Sequence, residues 1–186
     1  MDFLNNYNHK KNIRFESFEY ALKEANKRQL KIFVETGISR GKKKFLFFVK
    51  KNWKDGMSTL IFSNYAYIVS GHLYACDISQ KNIDSAKKFT KKFSKFVTFF
   101  NENSLTFLEN FQKKIDFLYL DSMDGHLPGA AKHQLQEINC AENKLHSNSL
   151  VLLDDKDVKS ALAIDYMLKN NFKILKETNE QILFSC

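Results

Sequence analysis

Four acidic residues stand where predicted strands end: Glu35, Asp77, Asp121 and Asp154. Because the carboxyl ends of parallel strands meet at one edge of an open α/β sheet, we expect these carboxylates to share a ligand-binding edge. Acids also serve as caps that begin a following helix, but these four come directly at the strand ends, before each loop has begun. The predicted chemistry is the binding of hydroxyl or cationic groups by carboxylate oxygens.

The first of these acids opens a glycine turn. Residues 31–34 read as a short strand that is buried on both faces, and Gly37 permits a close backbone approach or a positive φ. Gly56 then precedes a predicted helix start, where free N–H groups favour an anionic ligand. The residues of this turn and helix start are Glu35, Thr36, Gly37, Gly56, Ser58 and Thr59.

The acid in this turn indicates which kind of nucleotide could bind. A dinucleotide oxidoreductase would carry G-x-G-x-x-G, which is missing here, and a carboxylate would repel a pyrophosphate. An NAD-dependent enzyme is therefore disfavoured. A carboxylate suits S-adenosylmethionine, which carries a sulfonium and an ammonium group. With its E-x-G turn and G-x-S helix start, the chain resembles the class I S-adenosylmethionine-dependent methyltransferases over about residues 30–186.

Asp77 ends the second predicted strand about 20 residues beyond Gly56, an offset at which an acid holds ribose hydroxyls. The family resemblance places the turn after the third strand against the adenine, which brings in Asn103 and Ser104. The resemblance thus implies a cofactor site made of Glu35, Thr36, Gly37, Gly56, Ser58, Thr59, Asp77, Ile78, Asn103, Ser104 and Asp121.

Asp121, Asp154 and Asp155 form the pattern of one acid after the fourth strand and two after the fifth. This pattern resembles metal-dependent O-methyltransferases that act on catechols and on sugars of natural products. Carboxylate oxygens suit Mg²⁺ or Ca²⁺, and the resemblance implies an ion that orients two acceptor oxygens and lowers the pKa of a hydroxyl. The alternative is that the three acids are structural caps without a metal.

A catalytic base is useful when the methyl acceptor is a hydroxyl. The candidates are Asp121, Asp124 and His133, with His126 as a further histidine in the loop after the fourth strand. His133 and Glu137 share one face of a predicted helix. The loop after the fourth strand lacks the [D/N]-P-P-[Y/F/W] motif of enzymes that methylate amino groups of DNA bases, which disfavours that activity.

The element order predicts an α/β fold, a Rossmann-like doubly wound sheet of seven strands, mostly parallel with an antiparallel strand at the C-terminus. The chain is expected to form one domain, residues 1–186, with a loose polar lead over residues 1–13 within an N-terminal segment 1–30. The predicted helices are residues 14–29, 58–69, 82–93, 105–111, 130–145 and 158–168. The predicted strands are residues 31–34, 72–77, 96–100, 115–120, 149–153, 172–176 and 181–185.

Residues 38–54 insert between the glycine turn and the following helix, near the predicted cofactor site. Within them, residues 42–54 are predicted to form a short helical element, with Phe45, Phe48 and Trp53 partly buried and the lysines outside. Packing on the sheet edge is one role for this segment. A lid or a basic docking surface is the other.

Composition sets further bounds. The 186 residues, 44% hydrophobic and 27% charged, fit one globular domain. The formal charge of +8 comes from lysines spread through the chain, which indicates solvation more than a nucleic-acid site. Three distant cysteines argue for a reducing compartment and against structural zinc. Without a signal peptide or an apolar run of membrane length, the expected location is the cytoplasm.

The main functional prediction is an S-adenosylmethionine-dependent O-methyltransferase that acts on a small hydroxylated acceptor, such as a sugar or glycan precursor. Mg²⁺ is a candidate second cofactor, a nucleic-acid partner is disfavoured, and a homodimer is allowed. The alternative is a methyltransferase-like binding module that contacts RNA or an anionic surface through the basic insertion. The acceptor itself cannot be read from a motif, because loops choose it.

Overall fold

The structure of the protein is a computed structural model that describes residues 1–45 and 48–186. Seven of the described strands form one sheet in the order β5-β4-β1-β6-β7-β9-β8, and β2 pairs with β3. The described strands are β1 (Ile32–Thr36), β2 (Lys42–Phe45), β3 (Phe48–Lys51), β4 (His72–Cys76), β5 (Val97–Phe100), β6 (Phe117–Leu120), β7 (Leu150–Asp154), β8 (Lys173–Glu177) and β9 (Gln181–Ser185).

Strand β1 lies at the centre of the parallel part of the sheet. Val34 on β1 stands opposite Tyr74 on β4 and Leu118 on β6, both in parallel register. Strand β9 runs antiparallel to both β7 and β8. The predicted doubly wound sheet of seven strands, closed by an antiparallel pair, is confirmed.

Helices cover both faces of this sheet. The helix predicted over residues 82–93 ends early, at Phe89, because the Thr90 backbone leaves the helical conformation, with φ −95° and ψ 4°. The chain continues in a 3₁₀ segment, where the Phe93 N–H donates to the Thr90 carbonyl at 2.7 Å. Among the helices of the described residues, none is long and apolar enough to span a bilayer. The α-helices are α1 (Phe15–Lys27), α2 (Ser58–Ile68), α3 (Gln80–Phe89), α4 (Ser104–Asn110), α5 (Ala130–Ala141) and α6 (Ala161–Lys169).

Two apolar clusters hold the helices to the sheet. Side chains alternate between the faces of a strand, so Phe33 and Val34 enter different clusters. The Phe33 cluster takes in α1, α2 and α3 and contains stacked rings, with the centroids of Phe33 and Phe117 at 4.9 Å. The Val34 cluster takes in α4, α5 and α6. The two clusters therefore lie on opposite faces of the sheet.

The N-terminal residues pack against the domain. Asp2–Tyr7 form a 3₁₀ helix whose Leu4 and Tyr7 side chains are buried in the Phe33 cluster. Asn12 donates through its amide to the Tyr7 and Gly56 carbonyls, at 3.3 and 3.4 Å. The prediction of a loose lead is wrong, because apolar residues spaced among polar ones give this segment a buried side.

The insertion forms a β-hairpin and not the predicted helix. Strands β2 and β3 pair antiparallel, with Lys42 opposite Lys51, and the Asn52 N–H donates to the Gly41 carbonyl at 3.1 Å, which closes the base. The run of Phe and Val favours extended backbone, and so short a helix is marginal.

Of the three aromatics predicted to be partly buried, Trp53 is confirmed. Its ring is half-buried against the Phe33 cluster and stacks on His9 with centroids 5.1 Å apart. The burial predicted for Phe45 and Phe48 lies outside what the structure describes.

Candidate active site

A cavity of about 1550 Å³ opens at the carboxyl edge of the sheet. Four loops that follow β1, β4, β6 and β7 supply most of its lining, as expected for an open α/β sheet. The rest of the lining comes from other parts of the chain, namely Arg14, Lys54, Asn82, Leu162, Asn179 and Glu180. The four loop segments in the lining are residues 37–40, 77–79, 121–132 and 154–158.

Gly37 brings the loops after β1 and β6 into contact. Its φ is +80°, and a Cβ at this position would overlap the backbone carbonyl of Asp121. The Gly37 N–H donates to the Cys76 carbonyl at 2.9 Å, and the Asp121 N–H donates to the Thr36 carbonyl at 2.8 Å. Three strand ends therefore meet at one point, and only glycine leaves space there.

Glu35 and the start of α2 lie beneath this turn. Glu35 is fully buried and accepts a hydrogen bond from the Ser58 hydroxyl at 2.5 Å. Thr59 accepts from the N–H and the hydroxyl of Ser39, both at 3.1 Å. Gly56 faces Arg14. In the described part of the chain, the predicted cofactor residues outside the cavity lining are Glu35, Thr36, Gly56, Ser58, Thr59, Asn103 and Ser104.

Asp77 lines the cavity and orders the turns around it. Its Oδ1 accepts from the Ser79 N–H at 2.7 Å. Its Oδ2 accepts from the Ile38 N–H at 3.1 Å and from the Asn82 amide at 3.0 Å. The next residue, Ile78, is 76% exposed and also lines the cavity. The structure thus brings Gly37, Asp77, Ile78 and Asp121 of the predicted cofactor set together.

His133 lies behind the cavity. Its Nε2 is 3.0 Å from the hydroxyls of both Ser104 and Ser122 and 3.8 Å from a Glu137 oxygen. Among the described lining residues, the cavity includes Lys132 and not His133. Asn103 caps α4 by accepting from the Leu105 N–H at 2.9 Å. His133 therefore links the turns that carry Ser104 and Ser122, and a helix pattern alone does not predict this position behind the cavity lining.

Asp124 lies at the mouth of the cavity, where it pairs with Arg40 at 2.5 Å. Both side chains are about half exposed to solvent, so this pair contributes little stability. His126 is an exposed residue of the same loop and also lines the cavity. The pair joins the loops that follow β1 and β6.

The acids Asp121, Asp154 and Asp155 converge as predicted. Each offers a carboxylate oxygen, and these oxygens lie within 4.8 Å of one another. Arg14 holds Asp154 at both oxygens, with Nε to Oδ1 at 2.6 Å and Nη2 to Oδ2 at 2.8 Å. Its Nη2 also reaches Asp155 at 3.1 Å. A bidentate guanidinium of this kind is a strong, directional partner.

Lys159 is the second cation of this cluster. Its side chain is fully buried, with Nζ 2.8 Å from Asp121 and 3.8 Å from Asp155. The prediction of Mg²⁺ assumed carboxylates without a counter-charge, and Arg14 and Lys159 supply that charge. On this donor set the cluster does not fit a divalent ion.

Burial and mutual charge shift the pKa values of this cluster in different directions. Burial and the Asp154 charge raise the pKa of Asp121 well above its usual range, against the opposing effect of Lys159. Burial would also raise the pKa of Asp154, but the hydrogen bonds and charge of Arg14 outweigh it and lower the pKa. Burial acts to lower the pKa of Lys159, and the surrounding carboxylates raise it.

Sequence analysis missed both cations. Arg14 precedes the first strand and gives no local signal of a partner in β7. Lys159 stands four residues after Asp155, which is a spacing for ion pairs along a helix. The many lysines of this chain favour solvated positions, so the sequence gives no sign that Lys159 is buried.

A doubly wound sheet with an E-x-G turn after β1, an acid after β4 and an antiparallel closing pair defines the class I methyltransferase fold. A family model described as a methyltransferase domain matches residues 34–156. The chain belongs to this family and is an S-adenosylmethionine-dependent methyltransferase. A search of curated protein sequences finds no match to the chain.

Solved structures share the fold at low sequence identity. The O-methyltransferase NovP is 9% identical, with a TM-score of 0.65 over 92% of this chain and 78% of NovP. The S-adenosylhomocysteine-bound methyltransferase PaMTH1 of Podospora anserina is 14% identical, with a TM-score of 0.61 over 91% of this chain and 77% of that one. An rRNA methylase from Streptococcus thermophilus is 9% identical, with a TM-score of 0.62 over 93% and 95% of the two chains.

Proposed function

We propose that this methyltransferase acts on a hydroxyl oxygen of a small acceptor, such as a sugar or glycan precursor. The observation that carries the proposal is the wall of carboxylates in the cavity. Asp121, Asp154 and Asp155 converge there, on the same cavity that Asp77 lines. Carboxylate oxygens accept hydrogen bonds, so this wall suits an acceptor that carries hydroxyl groups.

The cavity is large enough to hold a cofactor and an acceptor side by side. Its volume of about 1550 Å³ exceeds the roughly 300–1,000 Å³ of a typical ligand pocket. S-adenosylmethionine supplies the methyl group on a sulfonium centre. In this proposal Asp77 holds the ribose hydroxyls, Ile78 contacts the adenine ring, and the turn at Gly37 lies beside the methionine part of the cofactor. Glu35, Ser58 and Thr59 support that turn from beneath.

Asp77 gives the first test of this assignment. Asp77→Ala should weaken S-adenosylhomocysteine binding by about 1.5–3 kcal/mol, because a charged acceptor of hydrogen bonds is lost. Calorimetry measures the affinity, and thermal unfolding shows whether the loops remain folded. Asp84→Ala is the control, since Asp84 is an exposed acid on α3 that bonds only Gln80 among the described hydrogen bonds. Unchanged affinity in Asp77→Ala would place the ribose elsewhere.

Within the carboxylate wall, Asp121 is the proposed acceptor-side base. Its side chain is 30% exposed in the cavity, and Lys159 fixes Oδ1 at 2.8 Å. Its Oδ2 lies 3.5 Å from the Tyr119 hydroxyl, and a hydrogen bond also links the Asp121 and Asp154 carboxyl groups. Asp154 is buried beneath Arg14, and Asp155 also accepts from Arg14, at 3.1 Å. We therefore take Asp121, which Arg14 does not engage among the described hydrogen bonds, as the member of the cluster that takes a hydroxyl proton.

A methyl-transfer screen tests the acceptor class and the base together. Sugars, sugar nucleotides, phenols and RNA are offered with labelled S-adenosylmethionine, and we expect transfer to a hydroxylated small molecule. Asp121→Asn should lower turnover by about 10²–10⁴-fold while S-adenosylhomocysteine still binds. Asp124→Asn and His133→Gln are matched variants with smaller expected losses, because Arg40 engages Asp124 and His133 lies behind the wall. Full turnover in Asp121→Asn, with loss in Asp124→Asn, would move the base to Asp124.

RNA is the second candidate acceptor. In the sequence, the hairpin β2–β3 lies between Arg40 and Lys54, and both of these residues line the cavity. Its sequence carries five lysines, at positions 42, 43, 44, 50 and 51, and clustered positive charge attracts phosphate backbones. Transfer to RNA alone in the screen, weakened steeply by salt, would favour this candidate over a small acceptor.

A further inference from the structure

We propose that Arg14 and Lys159 occupy the place of a divalent ion in the cluster of Asp121, Asp154 and Asp155, so that these carboxylates bind no metal. The inference concerns the charge and donor balance of this chain. It does not depend on which acceptor the enzyme methylates.

Asp154 is already bound by protein donors at both of its oxygens. Both of its oxygens accept from Arg14, at 2.6 and 2.8 Å, and Oδ1 also accepts from the Gln181 amide at 2.7 Å. Its side chain is 1% exposed and that of Arg14 is 13% exposed. An ion could bind Asp154 only by displacing a buried guanidinium, which would leave that positive charge unpaired.

Lys159 fills the other side of the cluster. Its ammonium group donates to Asp121 at 2.8 Å and lies 3.8 Å from Asp155. The residue is held in place because Ser160, its neighbour, donates to the Asp154 carbonyl at 2.9 Å. The loop after β6 covers it, since a Cβ on Gly125 would stand 3.5 Å from the Lys159 Cβ. A compact ammonium of this kind presents a point charge where a metal would sit.

Charge repulsion opposes an ion even if a ligand atom were free. Carboxylates bind Mg²⁺ at about 2.0–2.1 Å. An ion shared by Asp121 and Asp155 would therefore lie within a few ångströms of the Lys159 ammonium, which contacts the same two acids. Two positive charges this close repel strongly in a partly dehydrated site. Two cations balance three carboxylates to one remaining negative charge, which leaves little attraction for a divalent ion.

Manganese binding tests the inference without using enzyme activity. Electron paramagnetic resonance follows the loss of the free Mn²⁺ signal as the full-length protein is added. We expect no site at the cluster in the wild-type protein. Lys159→Met should bind Mn²⁺ at least about tenfold more tightly than the wild type, because it removes the nearest positive charge. Adding Asp155→Asn to that variant should abolish the gain.

Lys169→Met is the matched control. It makes the same substitution at an exposed lysine that pairs with Asp165 at 2.7 Å, and it should leave Mn²⁺ binding at the wild-type level. The inference is overturned if the wild type binds Mn²⁺ at about 10⁻⁴ M or tighter and Asp155→Asn removes that site. It is also overturned if folded Lys159→Met binds no better than the wild type. If circular dichroism shows that Lys159→Met is unfolded, Lys159→Gln and the wild-type titration decide the question.

Discussion

Gly37→Ala is expected to abolish S-adenosylhomocysteine binding and to lower the free energy of unfolding by about 2–5 kcal/mol. Part of this loss is backbone strain, since Gly37 has a φ of +80°. The rest comes from the Cβ, which would overlap the Asp121 carbonyl and push the loops after β1 and β6 apart. Because both loops line the cavity, the cofactor site should widen or collapse with them.

Gly129→Ala separates these two causes. Gly129 has a similar φ of +87°, but a Cβ there would meet no atom within 4 Å. Gly129→Ala should lower the free energy of unfolding only by the cost of backbone strain, about 1–2 kcal/mol. Urea unfolding and calorimetry with S-adenosylhomocysteine measure both effects. If the two variants were equally stable and Gly37→Ala still bound the cofactor product, the contact between the loops would not matter for the site.

Arg14→Met is expected to lower the free energy of unfolding by about 3–5 kcal/mol, the cost of leaving a buried partner unpaired. Arg14 grips both oxygens of Asp154 and also donates to the Lys54 carbonyl at 3.2 Å. It thereby ties the start of α1 to β7 and to the end of the insertion. Lys23→Met on the same helix removes an exposed pair with Glu19 and should change stability by less than about 1 kcal/mol.

The pH dependence of stability is an independent test of the Arg14–Asp154 ion pair. Arg14 lowers the pKa of Asp154 in the folded protein, despite the burial that raises it. A depressed carboxyl pKa adds stability above the unfolded value near 3.8, and that stability is lost as the pH falls through the folded pKa. Arg14→Met should therefore lose stability near neutral pH and lose less on acidification. Equal acid sensitivity in the two proteins would show that Asp154 gains nothing from Arg14.

Local patterns in the sequence were enough to predict the sheet and to indicate two residues that line its cavity. Apolar runs marked the strands, and Gly37 and Asp77 stand at strand ends where a turn and a ligand acid are expected. The alternation of side chains along β1 could also have shown that Glu35 lies on the same face as Phe33, beneath α2 and not in the cavity.

Contacts between distant parts of the chain could not be predicted in this way. Arg14 and Asp154 are 140 positions apart, and no periodicity links an N-terminal arginine to the end of β7. His133 has the spacing of a helix face, but its depth behind Ser104 and Ser122 depends on how α5 packs. The sequence pattern predicts a helix where the hairpin lies, because a short run of phenylalanines is compatible with both the helical and the strand periodicity.

The bond that closes the hairpin has a consequence for how this loop can change. The hydrogen bond from the Asn52 N–H to the Gly41 carbonyl holds the two ends of the hairpin together, whatever residues lie between them. A longer or shorter segment spliced between these ends would add little closure entropy, since doubling a loop costs only about 0.6 kcal/mol. The segment between Gly41 and Asn52 is therefore a position, beside the cavity, where insertions and deletions should be tolerated while the seven-stranded sheet keeps its register.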